Sequence, residues 1–128
     1  MAEKQNETGI IDVVSSRPVP ETVEKLEAFL KSKGMKIFLR LDQAAEAAAV
    51  GMPMEPMVLL LFGNPAVGTT LMNRYPSLAI DIPLKALVWK SADGVRVSYN
   101  SPEYLQKRHG LDAPPFANLG ALMEAAVR

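Results

Sequence analysis

The stretch Leu84-Lys85-Ala86-Leu87-Val88-Trp89, followed by Asp93-Gly94 and then Val95-Arg96-Val97-Ser98-Tyr99, decides the fold. Both arms alternate their side chains as strands do. Lys85, Leu87 and Trp89 fall on one side of the first arm, and Val95, Val97 and Tyr99 share a face of the second. Asp93-Gly94 is a hairpin turn signal, because glycine accepts the positive φ that such turns require. The two arms therefore read as an antiparallel hairpin. Trp89 and Tyr99 are expected to meet as a cross-strand aromatic pair or at a dimer contact.

Downstream, Ser101-Pro102-Glu103 supplies a cap, a first-turn proline and a first-turn acid, so a helix follows and ends at Gly110. Leu119, Leu122, Met123 and Ala126 give a final amphipathic helix. Upstream, Met57 to Phe62 is an unbroken apolar run whose length fits a strand covered on both faces. Gly63-Asn64-Pro65 ends it, and a short helix is expected from Val67 to Arg74. Met35 to Leu41 alternates, and Asp42 can cap an Ala-rich helix from Gln43 to Val50. Pro20, Glu21 and Glu24 open the first helix, and Val23, Leu26, Phe29 and Leu30 recur along it at helical spacing. Ile10 to Val14 is short and mostly β-branched, a strand. The order is β-α-β4-α. It predicts an α+β fold, a single domain over 10–128 behind a flexible polar leader at 1–9. The sheet is antiparallel or mixed, with helices packed on one face.

The bulk properties narrow the function. The chain has 128 residues, one domain's worth, and 48% hydrophobic residues give it material for a core. Lys and Arg number 14 and Asp and Glu number 14, so there is no cationic surplus for nucleic acid or for an anionic membrane surface. Zero net charge does little to discourage self-association. There is no cysteine, which removes disulfides, thiolate metal sites and thiol catalysis. No apolar run is long enough for a membrane helix, and residues 1–9 lack the apolar centre of a signal peptide. The expected location is cytoplasmic.

Several stretches together resemble a known family. They are Lys36-Ile37-Phe38-Leu39-Arg40-Leu41-Asp42-Gln43-Ala44-Ala45, Leu60-Leu61-Phe62-Gly63-Asn64-Pro65 with Gly68-Thr69 and Leu71-Met72, and Ile80-Asp81-Ile82-Pro83-Leu84-Lys85-Ala86-Leu87-Val88-Trp89. Ser98-Tyr99-Asn100-Ser101-Pro102 and Arg108-His109-Gly110-Leu111 complete the pattern. From Ile10 to Leu111 the chain is similar to the domain-of-unknown-function 302 family. The resemblance implies a TATA-box-binding-protein-like β-α-β4-α arrangement, commonly dimeric, and no established reaction. Family members often carry His where this chain has Gln43.

Candidate chemistry is sparse. Gly63 to Thr70 reads G-x-x-x-x-G-T-T, with Thr69 in place of the lysine of a phosphate loop and Pro65 removing a backbone donor. Two readings stand: an anion held at a helix start by amides and the Thr69 and Thr70 hydroxyls, or a plain strand-to-helix turn. His109 is the lone histidine, too little for a catalytic zinc site, so no metal and no cofactor is expected. It can act as an acid or base with Asp81 or Asp112, or cap helix carbonyls. Lys85 can anchor an anion, or lie along apolar surface with its ammonium in water. Met52, Met54 and Met57 offer thioethers to copper(I), or simply irregular packing. No nucleophile–base pair is legible. The leading expectation is a homodimeric module binding a small anionic or nucleotide-like ligand near Gly63, Asn64, Gly68, Thr69, Thr70, Asp81, Lys85 and His109. Acid–base catalysis by His109 and Asp81, or copper handling by the methionines, are the alternatives.

Overall fold

Alternation builds the sheet. The computed structural model describes residues 3–5 and 8–128, with side chains from residue 8 onward. Its strands are β1 (Glu3–Gln5), β2 (Ile10–Ser15), β3 (Lys36–Asp42), β4 (Met57–Gly63), β5 (Leu84–Ser91) and β6 (Gly94–Asn100). They form one six-stranded sheet in the order β1-β2-β6-β5-β4-β3, antiparallel throughout. The helices are α1 (Val19–Ser32), α2 (Gln43–Ala49), α3 (Pro65–Arg74), α4 (Pro102–His109) and α5 (Leu119–Val127), with a 3-10 helix at Pro76–Ile80. Among the described residues no helix is long and apolar enough to cross a membrane.

One face of the sheet is the core. Ile11 and Val13, Val97 and Tyr99, Ala86 and Val88, and Leu60 and Phe62 point into it from successive strands. Val23, Leu26 and Leu30 of α1 and Leu119, Met123 and Ala126 of α5 close over them. The opposite face is uncovered. Ile10 is 38% exposed, Val14 54% and Leu39 46%.

That asymmetry corrects two expectations. β4 is buried on one face only: Val58, Leu60 and Phe62 are buried, while Met57, Leu59 and Leu61 are half-buried. An all-apolar run signals two apolar faces, not two covers. Trp89 and Tyr99 do not pair. The two-residue turn sets Trp89 opposite Arg96 and Tyr99 opposite Ala86, so the indole lies on the open face and the phenol in the core. Within the expected leader, Glu3–Gln5 pair with Ile11–Val13 as a strand; Met1, Ala2, Asn6 and Glu7 lie outside the described residues.

Candidate functional site

Seven of the eight candidate residues fall in three places, and Thr70 stands apart from them. The first is a cavity of about 300 Å³ at the end of the sheet where β4 runs into α3. Gly63, Asn64, Gly68 and Thr69 line it. The other walls are apolar: Phe38 from β3, Met72 from α3, Ile82, Pro83 and Leu84 at the entry to β5, and Phe116 from the loop before α5. Gly68 brings α3 close to that wall, since a Cβ there would stand 3.4 Å from Ile82 Cγ2. Phe116 holds a φ of 55°, an uncommon conformation for a bulky residue.

The anion cradle expected at Gly63 to Thr70 is already filled by the protein. Asn64 is the N-cap of α3, and its Oδ1 accepts from the Ala66 and Val67 amides at 3.0 and 3.3 Å. The Gly68 amide donates to the Asn64 carbonyl at 2.8 Å, and Pro65 has no amide to give. Thr70 Oγ1 donates back to Ala66 O at 2.9 Å and lies outside the cavity lining. Thr69 remains the polar side chain at the rim besides Asn64.

The second place joins Asp81 and His109, the pair read as a possible acid–base couple. His109 Nε2 lies 2.6 Å from Asp81 Oδ2, and both side chains are buried, at 3% and 8% exposure. The imidazole caps no carbonyl. Its Nδ1 instead meets Ser77 Oγ at 2.7 Å. Arg108 Nε is 3.7 Å from the same Asp81 oxygen. Asp112, the other acid considered for His109, pairs with Arg74 at 3.0 Å. The role of Ser77 was missed. It lies 32 residues from His109 in a segment whose only sequence signal was its flanking prolines.

The third place is the open sheet face. Lys85 stands there, opposite Leu61, beside a shallow pocket of about 160 Å³ that also touches Ile10, Leu87 and Asn100. It shares nothing with the cavity or with His109. Met54 and Met57 line a groove between α1 and β3 with Arg40, and Met52 lies outside that lining. Gln43 begins α2 and is not among the residues that line the cavity.

The comparisons agree with this architecture. The family model described as "Domain of unknown function DUF302" matches residues 11–127. A solved structure described as an uncharacterized conserved protein DUF302 from Bacillus stearothermophilus superimposes with a TM-score of 0.80, covering 93% of this chain and 95% of that one, at 21% identity. Two curated proteins, each named "Fluoride-specific ion channel FluC 1", from Brucella suis biovar 1 and Brucella abortus biovar 1, are 39% identical over 106 residues. Those residues are 82% of this chain but only 42% and 39% of the relatives, so the chain spans less than half the length of the curated relatives it matches.

Proposed function

The chain belongs to the family of the domain of unknown function DUF302, and from that premise we propose that it is a cytoplasmic, dimeric module that binds one small, mainly apolar ligand. The observation that carries the reading is the cavity of about 300 Å³ between Phe38, Met72, Leu84 and Phe116. Its size is at the lower end of small-molecule sites, and apolar walls with few polar groups are the usual makeup of such sites. The ligand chemistry departs from the anion expected from the loop sequence, because Asn64 already takes the amides of the helix start. A polar end group on the ligand would meet the Thr69 hydroxyl at the rim.

Benzene and indole are suitable first probes. With ¹³C-methyl-labelled methionine, either should shift the Met72 methyl resonance and raise the melting temperature, because a ligand that binds only the folded state stabilises it. Gly68→Val, which grows a side chain into the Ile82 wall, should abolish both effects. If the Met72 resonance stays put across a panel of small aromatic and aliphatic molecules, the cavity is not a binding site.

The curated relatives support a second reading, in which the module works beside a fluoride channel. Fluoride titrations of melting temperature, and co-purification with a fluoride channel from the same cell, test it. Failure of both removes the reading.

A further inference from the structure

We propose that Ser77, His109 and Asp81 form an acyl-transfer centre, separate from the cavity, with Ser77 as its nucleophile and small activated carboxylic esters as its substrate class. The hydrogen-bond chain is continuous: Ser77 Oγ to His109 Nδ1 at 2.7 Å, and His109 Nε2 to Asp81 Oδ2 at 2.6 Å. A nucleophile touching a base, with the base oriented by a third group, is the arrangement that activates a hydroxyl. The carboxylate assigns the tautomer. Asp81 accepts from Nε2–H, so the Nδ1 lone pair is left to take the Ser77 proton. The burial is graded in the useful direction. The imidazole and carboxylate are shielded from water, whereas Ser77 is exposed to incoming substrate. Arg108, 44% exposed, lies 3.7 Å from Asp81 Oδ2 and offsets the carboxylate charge on the side of the imidazole away from Ser77.

The chain is not needed to fasten its two segments together. Arg74 and Tyr75 already bind Asp112 at 3.0 and 3.4 Å, joining the same stretches from either side. A buried carboxylate–imidazole pair is also a costly fastener where apolar packing would serve.

The chemistry balances with water alone. Ser77 Oγ adds to the ester carbonyl carbon as its proton passes to His109 Nδ1. Collapse expels the alkoxide, which leaves with that proton as the alcohol, and an acyl-Ser77 ester remains. Water then adds to the acyl carbon, giving its proton to Nδ1. Breaking the acyl–Oγ bond releases the acid and returns the proton to Ser77. One ester and one water become one acid and one alcohol.

The test uses a fluorophosphonate probe on the full chain, read by intact mass and peptide mapping, with p-nitrophenyl acetate as a turnover substrate. One adduct is expected, on Ser77. It should be absent in Ser77→Ala and slowed by roughly 100-fold or more in His109→Gln, the usual worth of a general base. Asp81→Asn should slow it as well. p-Nitrophenyl acetate should give a burst of one equivalent per chain. Should His109→Gln fail to fold, Asp81→Asn decides: its labelling must be slower than that of the unaltered protein and still confined to Ser77. No adduct, adducts scattered over other serines, or a rate simply first order in hydroxide would overturn the proposal.

Discussion

Gly9 shows how a single position can fix the fold. Its φ is 81°, and a Cβ built there would lie far inside contact distance of the Tyr104 ring and Cβ. Its carbonyl meanwhile accepts from the Ser101 amide at 2.8 Å, which seats the start of β2 against the start of α4. Gly9→Ala would suffer both left-handed strain and overpacking, together about 2–4 kcal/mol. Urea denaturation should show that loss. A loss below about 1 kcal/mol would mean that Tyr104 swings aside without penalty. Gly34, at the same φ with nothing within 4 Å, is the control: its alanine variant bears the strain alone. Residues of this kind explain what the sequence could and could not disclose about the site. His109 could be named because it is the lone histidine, and Asp81 because a carboxylate is the natural partner of an imidazole. The choice between Asp81 and Asp112 could not be made, since it depends on how the 3-10 helix at Pro76–Ile80 docks on the end of α4. Ser77 was invisible because nothing in its local sequence marks it and its meaning lies in one contact across that docking. At Gly63 to Thr70 the structure adds a local fact that the sequence did not show: the Asn64 cap takes the Ala66 and Val67 amides that a bound anion would use.

Among the elements, those with strong punctuation were legible. Asp42 accepts from the Ala45 amide at 2.9 Å and Ser101 from the Tyr104 amide at 2.9 Å, so both helices begin where their caps stand. α3 begins earlier than the expected Val67 because Asn64 and Pro65 form its cap and first position. Asn64→Ala should therefore cost about 1 kcal/mol, measured by thermal or urea unfolding. Unchanged stability would mean that water replaces the cap fully. Covering of faces was not legible, since it depends on which helices pack where. One contact of that kind, between α1 and β3, carries a pH signature. Arg40 donates to both Glu27 oxygens at 2.8 Å and to Glu24 at 3.1 Å. These hydrogen bonds hold the Glu27 carboxyl below its ordinary value, against a smaller upward push from burial. A carboxyl depressed in the folded state stabilises the fold above its unfolded pKa, and that contribution is lost as pH falls through the folded value. Glu27→Gln should accordingly be less stable than the unaltered protein near neutrality. The gap should close below the ordinary glutamate range when denaturation midpoints are followed against pH. A gap constant with pH would assign the effect to packing instead.

At the scale of the whole molecule, the uncovered sheet face is the feature that a lone chain leaves unaccounted for. The register lays Leu39, Leu61 and Lys85 in one row and Leu41, Leu59, Leu87, Ser98 and Asp12 in the next, with Met57, Trp89, Arg96 and Val14 beyond. The polar side is internally satisfied. Trp89 Nε1 donates to Ser98 Oγ at 2.8 Å, Ser98 to Asp12 at 2.6 Å, and Arg96 pairs with Asp12 at 3.3 Å. The leucines have no such partners, and zero net charge leaves no overall repulsion between two copies. A second copy laid face to face would remove those leucines from water, which is the sense in which the module is proposed as a dimer. Leu61→Glu sits at the middle of the first row and should yield a monomer by light scattering at concentrations where the unaltered chain is dimeric, with helical content preserved because the core face is untouched. Lys85→Met separates this face from other routes to a dimer. An ammonium taken out of water without a partner costs free energy, so the methionine variant should associate as tightly or more tightly if this face is the interface. Weaker association of Lys85→Met, or a Leu61→Glu chain that stays dimeric, would place the contact on another surface.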